Sequence, residues 1–282
     1  MSWHTEQRRV ICESTGTEHV LDIGLPVRHG RLEQPPVVIC LDGRWTFGTT
    51  LDATRIMSMR GEAPEAIVVG VSFGADQMSE YLAERARWYT PTPFVPPGVT
   101  GVKGLSAEDT GKAHLFRAFL AQQVLPAIEA EFETGERWLV GHSLSGLFGL
   151  STLFTEPELF DRFLLASPSM WWDDRAILGY EERYAQDHDD LPAKLFLSAG
   201  GDEDLFDAKE RLSALKDPES VPDPPGPGYF RMQANVEVLA VNLASRRYPS
   251  LQLHQTVLAN EGHNSTIGAA ISRGLRVLSA FA

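Results

Sequence analysis

An α/β fold, with a mostly parallel central sheet and helices on both faces, is predicted by three observations. Short and continuously apolar runs recur along the chain, each followed by a turn and a longer amphipathic segment. These runs do not alternate apolar with polar residues, as expected of strands that have no solvent face. The 282 residues, 43% of them hydrophobic, supply a core of ordinary size for one α/β domain, and no linker or internal repeat divides residues 1–282.

Residues 7–12 and 19–25 open the chain as a pair of antiparallel edge strands. Buried strands are expected at 37–41, 66–72, 138–141, 163–167 and 194–199, and a last one at 251–258. Between the second and third of these, Leu115, Phe116, Phe119, Leu120, Val124, Ile128 and Phe132 recur at three- and four-residue spacing. That spacing predicts one helix over 113–132, bent at Pro126. Further helices are expected at 232–246 and 269–278. Two stretches rich in proline and glycine, 90–104 and 216–231, read as loops that either border a cleft or are simply solvated.

A net charge of −13 disfavours nucleic acids and anionic membrane surfaces as partners, since both are repelled at long range. The first residues are polar, and no run approaches the roughly 18 apolar residues of a membrane span. The expectation is a cytoplasmic protein. The two cysteines, Cys12 and Cys40, suggest neither a disulfide framework nor a metal site, and Cys40 lies inside an apolar run as a small buried hydrophobe.

The chemistry is carried by Gly141-His142-Ser143-Leu144-Ser145-Gly146, which joins an apolar run to a helix-like run. Small residues around a serine at a strand-to-helix turn let its hydroxyl project from a strained backbone position, which makes Ser143 the candidate nucleophile. Ser145 stands where the second glycine of G-x-S-x-G belongs, and Gly146 follows it. A serine needs an imidazole to take its proton and an acid to orient that imidazole. His263 lies in a short glycine-containing loop between the last strand and the last helix. His142 abuts the nucleophile and is expected to line the site, while His254 and His114 read as structural. For the acid, Asp204 is favoured over Glu203 in the turn after strand 194–199. A solvated acidic turn, leaving a Ser143–His263 dyad, is the alternative. The oxyanion donors expected are the amides of Leu144 and Arg44, with Gly43 as the alternative to Arg44.

With these residues in place, the chain resembles the Putative esterase family of α/β hydrolases, and within it the siderophore esterases that act on enterobactin, salmochelin and bacillibactin. The resemblance rests on the segments Leu41 to Phe47, Glu65 to Val71, Thr90-Pro91-Thr92, Gly141 to Phe148 and Ala166 to Asp174. It implies an α/β-hydrolase fold and a serine esterase that uses no metal or organic cofactor. It further implies a small-molecule ester substrate, approached by Trp45, His142, Trp171, Trp172 and Arg87. Arg44, Arg85 and Lys103 are further candidate cations for an anionic siderophore. Where relatives tend to have Arg-Asp-Leu-Thr-Pro-Thr, this chain has Arg87-Trp88-Tyr89-Thr90-Pro91-Thr92, which suggests a more apolar cleft and an aryl or hydrophobic acyl substrate. Acyl transfer, and ligand binding on a degenerate scaffold, are the competing classes. Oligomeric state is not legible.

Overall fold

The protein is described by a computed structural model covering residues 4–26, 34–96, 105–204 and 229–281. Eight strands form one sheet in the order β1-β2-β4-β3-β5-β6-β7-β8. β1 (Thr5–Ile11) and β2 (Glu18–Gly24) pair antiparallel, and β2 runs antiparallel to β4 (Ile67–Phe73). All remaining neighbours are parallel: β4 with β3 (Val37–Leu41), then β5 (Arg137–His142), β6 (Arg162–Ala166), β7 (Lys194–Gly200) and β8 (Gln252–Leu258).

Burial follows position in the sheet. Every residue of β3, β4 and β6 is buried, whereas β1 alternates exposed with half-buried residues at one edge and β8 is half-buried at the other. Alternate side chains along a strand face opposite ways, so two apolar layers form. Val38, Cys40, Val140 and Leu164 pack with residues of α1 (Gly43–Ser58) and α8 (Thr266–Ala280) on one face. Ile39, Leu41, Leu139 and Leu165 pack on the other, with α2 (Met78–Trp88), α5 (Leu144–Leu153), α6 (Ala176–Asp187) and α7 (Met232–Arg246). Full burial pushes the Cys40 thiol up to about 12, as suits an inert core residue.

The helix expected over 113–132 is present but divided. α3 (Ala113–Phe119) passes through five residues wound as π-helix, Leu120–Val124, into α4 (Leu125–Phe132). Pro126 lies at the start of α4, where a missing amide hydrogen costs least, and the wider π turn absorbs the mismatch ahead of it. Of the two proline-rich loops, 97–104 and 216–228 lie outside the described residues, as does Lys103.

Because β3 to β8 are parallel, their C-terminal ends share one side of the sheet. The turns carrying Asp42, Ser143, Ser167, Glu203 and His263 all leave from that side, where ligands bind in open α/β sheets.

Candidate active site

Ser143 sits between β5 and α5 with φ 60° and ψ −121°, a conformation that side chains rarely adopt. Neighbouring packing enforces it. A Cβ on Gly141 would come within 2.4 Å of the Ser145 carbonyl oxygen, and one on Gly146 within 3.0 Å of Pro168 Cα. The second small position of the elbow is therefore Gly146. Ser145 is engaged elsewhere, since its hydroxyl donates to Asp42 Oδ2 at 2.8 Å and receives the His142 amide at 2.9 Å.

Asp42 is buried at the end of β3 and collects donors from two elements, α2 and α5. Arg85 approaches both oxygens, at 2.8 and 3.0 Å, and the Tyr81 hydroxyl reaches Oδ1 at 3.2 Å. The Asp42 amide in turn donates to the Tyr89 hydroxyl at 3.1 Å. Burial opposes the Arg85 charge, but the paired carboxylate outweighs it and raises the guanidinium further. Arg85 is thus committed to the scaffold and is not a cation of the cleft.

His263 Nδ1 lies 3.3 Å from Glu203 Oε2. The carboxylate that lies against this imidazole is that of Glu203, not that of the favoured Asp204. Glu203 is buried, and its Oε1 accepts the Gly200 amide at 2.8 Å and the Ser167 hydroxyl. Asp204, one residue on, is turned to another use: its carboxylate accepts the Met232 amide at the start of α7, where the helix dipole favours an anion. Partial burial and the neighbouring Glu203 charge raise its carboxyl. The loops of Glu203 and His263 touch so closely that a Cβ on Gly200 would lie 2.3 Å from the Glu261 carbonyl oxygen.

His142 is buried beside Ser143. Its ring lies 4.6 Å from that of His263, and its Nε2 donates to the His263 carbonyl at 2.8 Å. A carbonyl only accepts, so this bond fixes the Nε2–H tautomer. Burial first, then the nearby His263 and Arg85 charges, hold His142 well below the usual imidazole range, so it stays neutral. Its place is to hold the loop of His263. Ser143 Oγ meets Ser169 Oγ at 3.2 Å, and the Ser169 amide donates to the Ser143 carbonyl at 3.0 Å.

The sequence model of the Putative esterase family matches residues 12–216. The chain belongs to this family. It is an enzyme that hydrolyses esters. A siderophore enterobactin esterase of Emericella nidulans is 31% identical over 263 residues, covering 86% of this chain and 81% of that protein. A ferri-bacillibactin esterase of Bacillus subtilis is 26% identical over 248 residues, covering 86% and 78%. Among solved structures, a siderophore hydrolase from Aspergillus nidulans superposes with TM-score 0.80 at 26% identity, covering 98% of this chain and 94% of that one. The fold is that of an α/β hydrolase.

Several residues expected to approach the ester sit differently in this esterase. Leu144 opens α5 and Gly43 opens α1, so neither amide has an acceptor within its own helix. The Arg44 amide is engaged with Ser72 Oγ at 2.8 Å and reaches an oxyanion only by exchanging that partner. Trp172 is fully buried, with its Nε1 donating to the Thr92 carbonyl at 3.2 Å, so it builds the wall and does not line it. Trp88 and Tyr89 are likewise core residues, and the apolar cleft inferred from them is not formed by their rings. Arg87 pairs with Glu84 at 2.5 Å on its own helix. Trp45 remains partly exposed beside Tyr81 and Arg85. Trp171 meets Tyr229 and Phe230 and borders a cavity of about 370 Å³ together with Phe94, Asp173, Arg175 and Arg231.

Asp42, Ser167 and Ser169 were not singled out as functional from the sequence. The available signal was their position: each is a polar residue just past the C-terminal end of a fully buried strand, inside a segment that carries the family resemblance.

Proposed function

We propose that this esterase works through an acyl-enzyme formed on Ser143, with His263 as general base and Glu203 as its acid, and that its substrate is a siderophore ester. The observation that carries the mechanism is the bond from His263 Nδ1 to the buried Glu203 carboxylate, on loops that converge beside the strained Ser143. With Nδ1–H directed at Glu203, the other ring nitrogen is the basic one. Ser143 Oγ attacks the ester carbonyl carbon while His263 takes the hydroxyl proton. The oxygen gains negative charge and is met by the Leu144 amide and by an amide of the turn between β3 and α1. His263 then gives its proton to the departing alcohol oxygen. Water repeats the sequence on the acyl-enzyme and releases the acid.

The siderophore reading is supported by relatives whose names specify enterobactin, bacillibactin and triacetylfusarinine C esterases. The cavity bordered by Trp171 and Tyr229 offers aromatic faces to an aryl group, and its two cations, Arg175 and Arg231, are balanced there by Asp173 and Asp174. The same aromatic walls favour a second reading, an uncharged aryl ester. The test is hydrolysis of iron-free enterobactin and bacillibactin beside short and aryl p-nitrophenyl esters, by wild type and Ser143→Ala. Trilactone opening that depends on Ser143, with kcat/KM far above that of the simple esters, is expected. Turnover of the simple esters alone would remove the siderophore assignment. Wild-type turnover by Ser143→Ala would remove the mechanism.

A further inference from the structure

The segment Ala166-Ser167-Pro168-Ser169 leaves β6 between the nucleophile and the acid, and the acyl-enzyme mechanism gives its hydroxyls no part. Ser167 is completely buried and holds φ 43°. Such an angle strains an L residue and is natural for glycine. A residue before proline is also steered towards extended backbone with negative φ. Backbone geometry alone therefore favours glycine at this position, and what the serine adds to glycine is its hydroxyl.

That side chain makes one contact with chemical consequence. Ser167 Oγ donates to Glu203 Oε1, the same oxygen that accepts the Gly200 amide at 2.8 Å. Two donors on Oε1 fix the carboxylate plane and leave Oε2 directed at His263 Nδ1. The Ser167 amide is anchored to the Ser198 carbonyl at 2.7 Å on β7, the strand that leads to Glu203, so the hydroxyl is held against the loop it orients. Two residues on, the Ser169 amide binds the Ser143 carbonyl at 3.0 Å. One short turn thus sets the relative position of the acid and the nucleophile.

We propose that Ser167 is the positioning residue of the catalytic acid, its hydroxyl holding Glu203 in the orientation that aligns His263 with Ser143. The proposal rests on the assignment of Ser143, His263 and Glu203 as the triad. Ser167 touches neither substrate nor reacting atoms, so its removal acts on the chemical step and not on substrate binding.

The test is Ser167→Gly in the full chain, with Ser167→Ala, Ser143→Ala and Glu203→Gln in parallel, measured as thermal midpoint, KM and kcat on a p-nitrophenyl ester that the wild type turns over. Ser167→Gly deletes the hydroxyl and relieves the backbone, so its midpoint is expected to equal or exceed that of wild type. Its KM is expected to be nearly unchanged and its kcat to fall about tenfold or more, since misorienting the base of a triad is costly. Ser167→Ala, which keeps the strained backbone and lacks the hydroxyl, is expected to show the same loss of kcat. Wild-type kcat in Ser167→Gly, with Ser143→Ala and Glu203→Gln inactive, would overturn this proposal and leave the triad standing. Wild-type kcat in Ser143→Ala or Glu203→Gln would instead overturn the triad.

Discussion

Replacing Arg85 by methionine removes one half of the best-enclosed ion pair among the described residues while keeping most of the side chain's packing volume. The Arg85 and Asp42 side chains are only 9% and 2% exposed, and their contacts are 2.8 and 3.0 Å. In the variant Asp42 keeps the Tyr81 and Ser145 hydroxyls but loses its only charged partner in that network. Breaking a buried pair in this way costs about 3–5 kcal/mol, because the remaining charge is left uncompensated. The unfolding entropy of a chain this long is roughly 0.6 kcal/mol/K, so the thermal midpoint falls by about 5–8 °C. The same network bonds Asp42 to Ser145 at the nucleophile elbow, so kcat falls as well. The assay is a thermal melt of wild type, Arg85→Met, Asp42→Asn and the double variant. A double variant markedly more stable than the sum of the singles is expected. An Arg85→Met melt within about 1 °C of wild type, or strict additivity, would refute the reasoning.

Glu203→Gln is expected to lower kcat by several orders of magnitude with little change in KM, whereas Asp204→Asn leaves kcat within a few fold of wild type. A larger loss in Asp204→Asn than in Glu203→Gln, read in steady-state kinetics, would return the acid's role to Asp204. His19 supplies a pH prediction. Its ring is buried against Phe73, Phe116 and Phe119, and burial lowers it from 6.5 to about 4, against a weaker opposing hydrogen bond with the Ser72 backbone. The unfolded chain binds this proton first, so the neutral ring's contribution is complete above about pH 6.5. It is lost as pH falls through about 4, amounting to roughly 3 kcal/mol. In His19→Phe the slope of stability against pH over that window should be shallower by up to one proton; an unchanged slope would exclude this origin.

Strand and helix alternation, the edge hairpin, the elbow at Ser143 and the loop of His263 were legible because each depends on local pattern. A strand covered on both faces must be apolar throughout, and a sharp strand-to-helix turn must be built from small residues. The carboxylate that meets His263 was not legible in this way. Glu203 and Asp204 are adjacent, and which of them meets His263 depends on how one turn packs against a loop 60 residues later. The same holds for Arg85 and Trp172, polar or amphipathic residues whose sequence context does not reveal whether a partner waits in the core. Asp42 gathers Arg85 and Ser145 from 43 and 103 residues away, and Ser167 reaches Glu203 across 36. The sequence by itself determined which strands and turns exist and which serine and histidine they present. The tertiary structure alone decided which buried charges find partners, because a hydrogen bond requires three-dimensional proximity that no local pattern encodes.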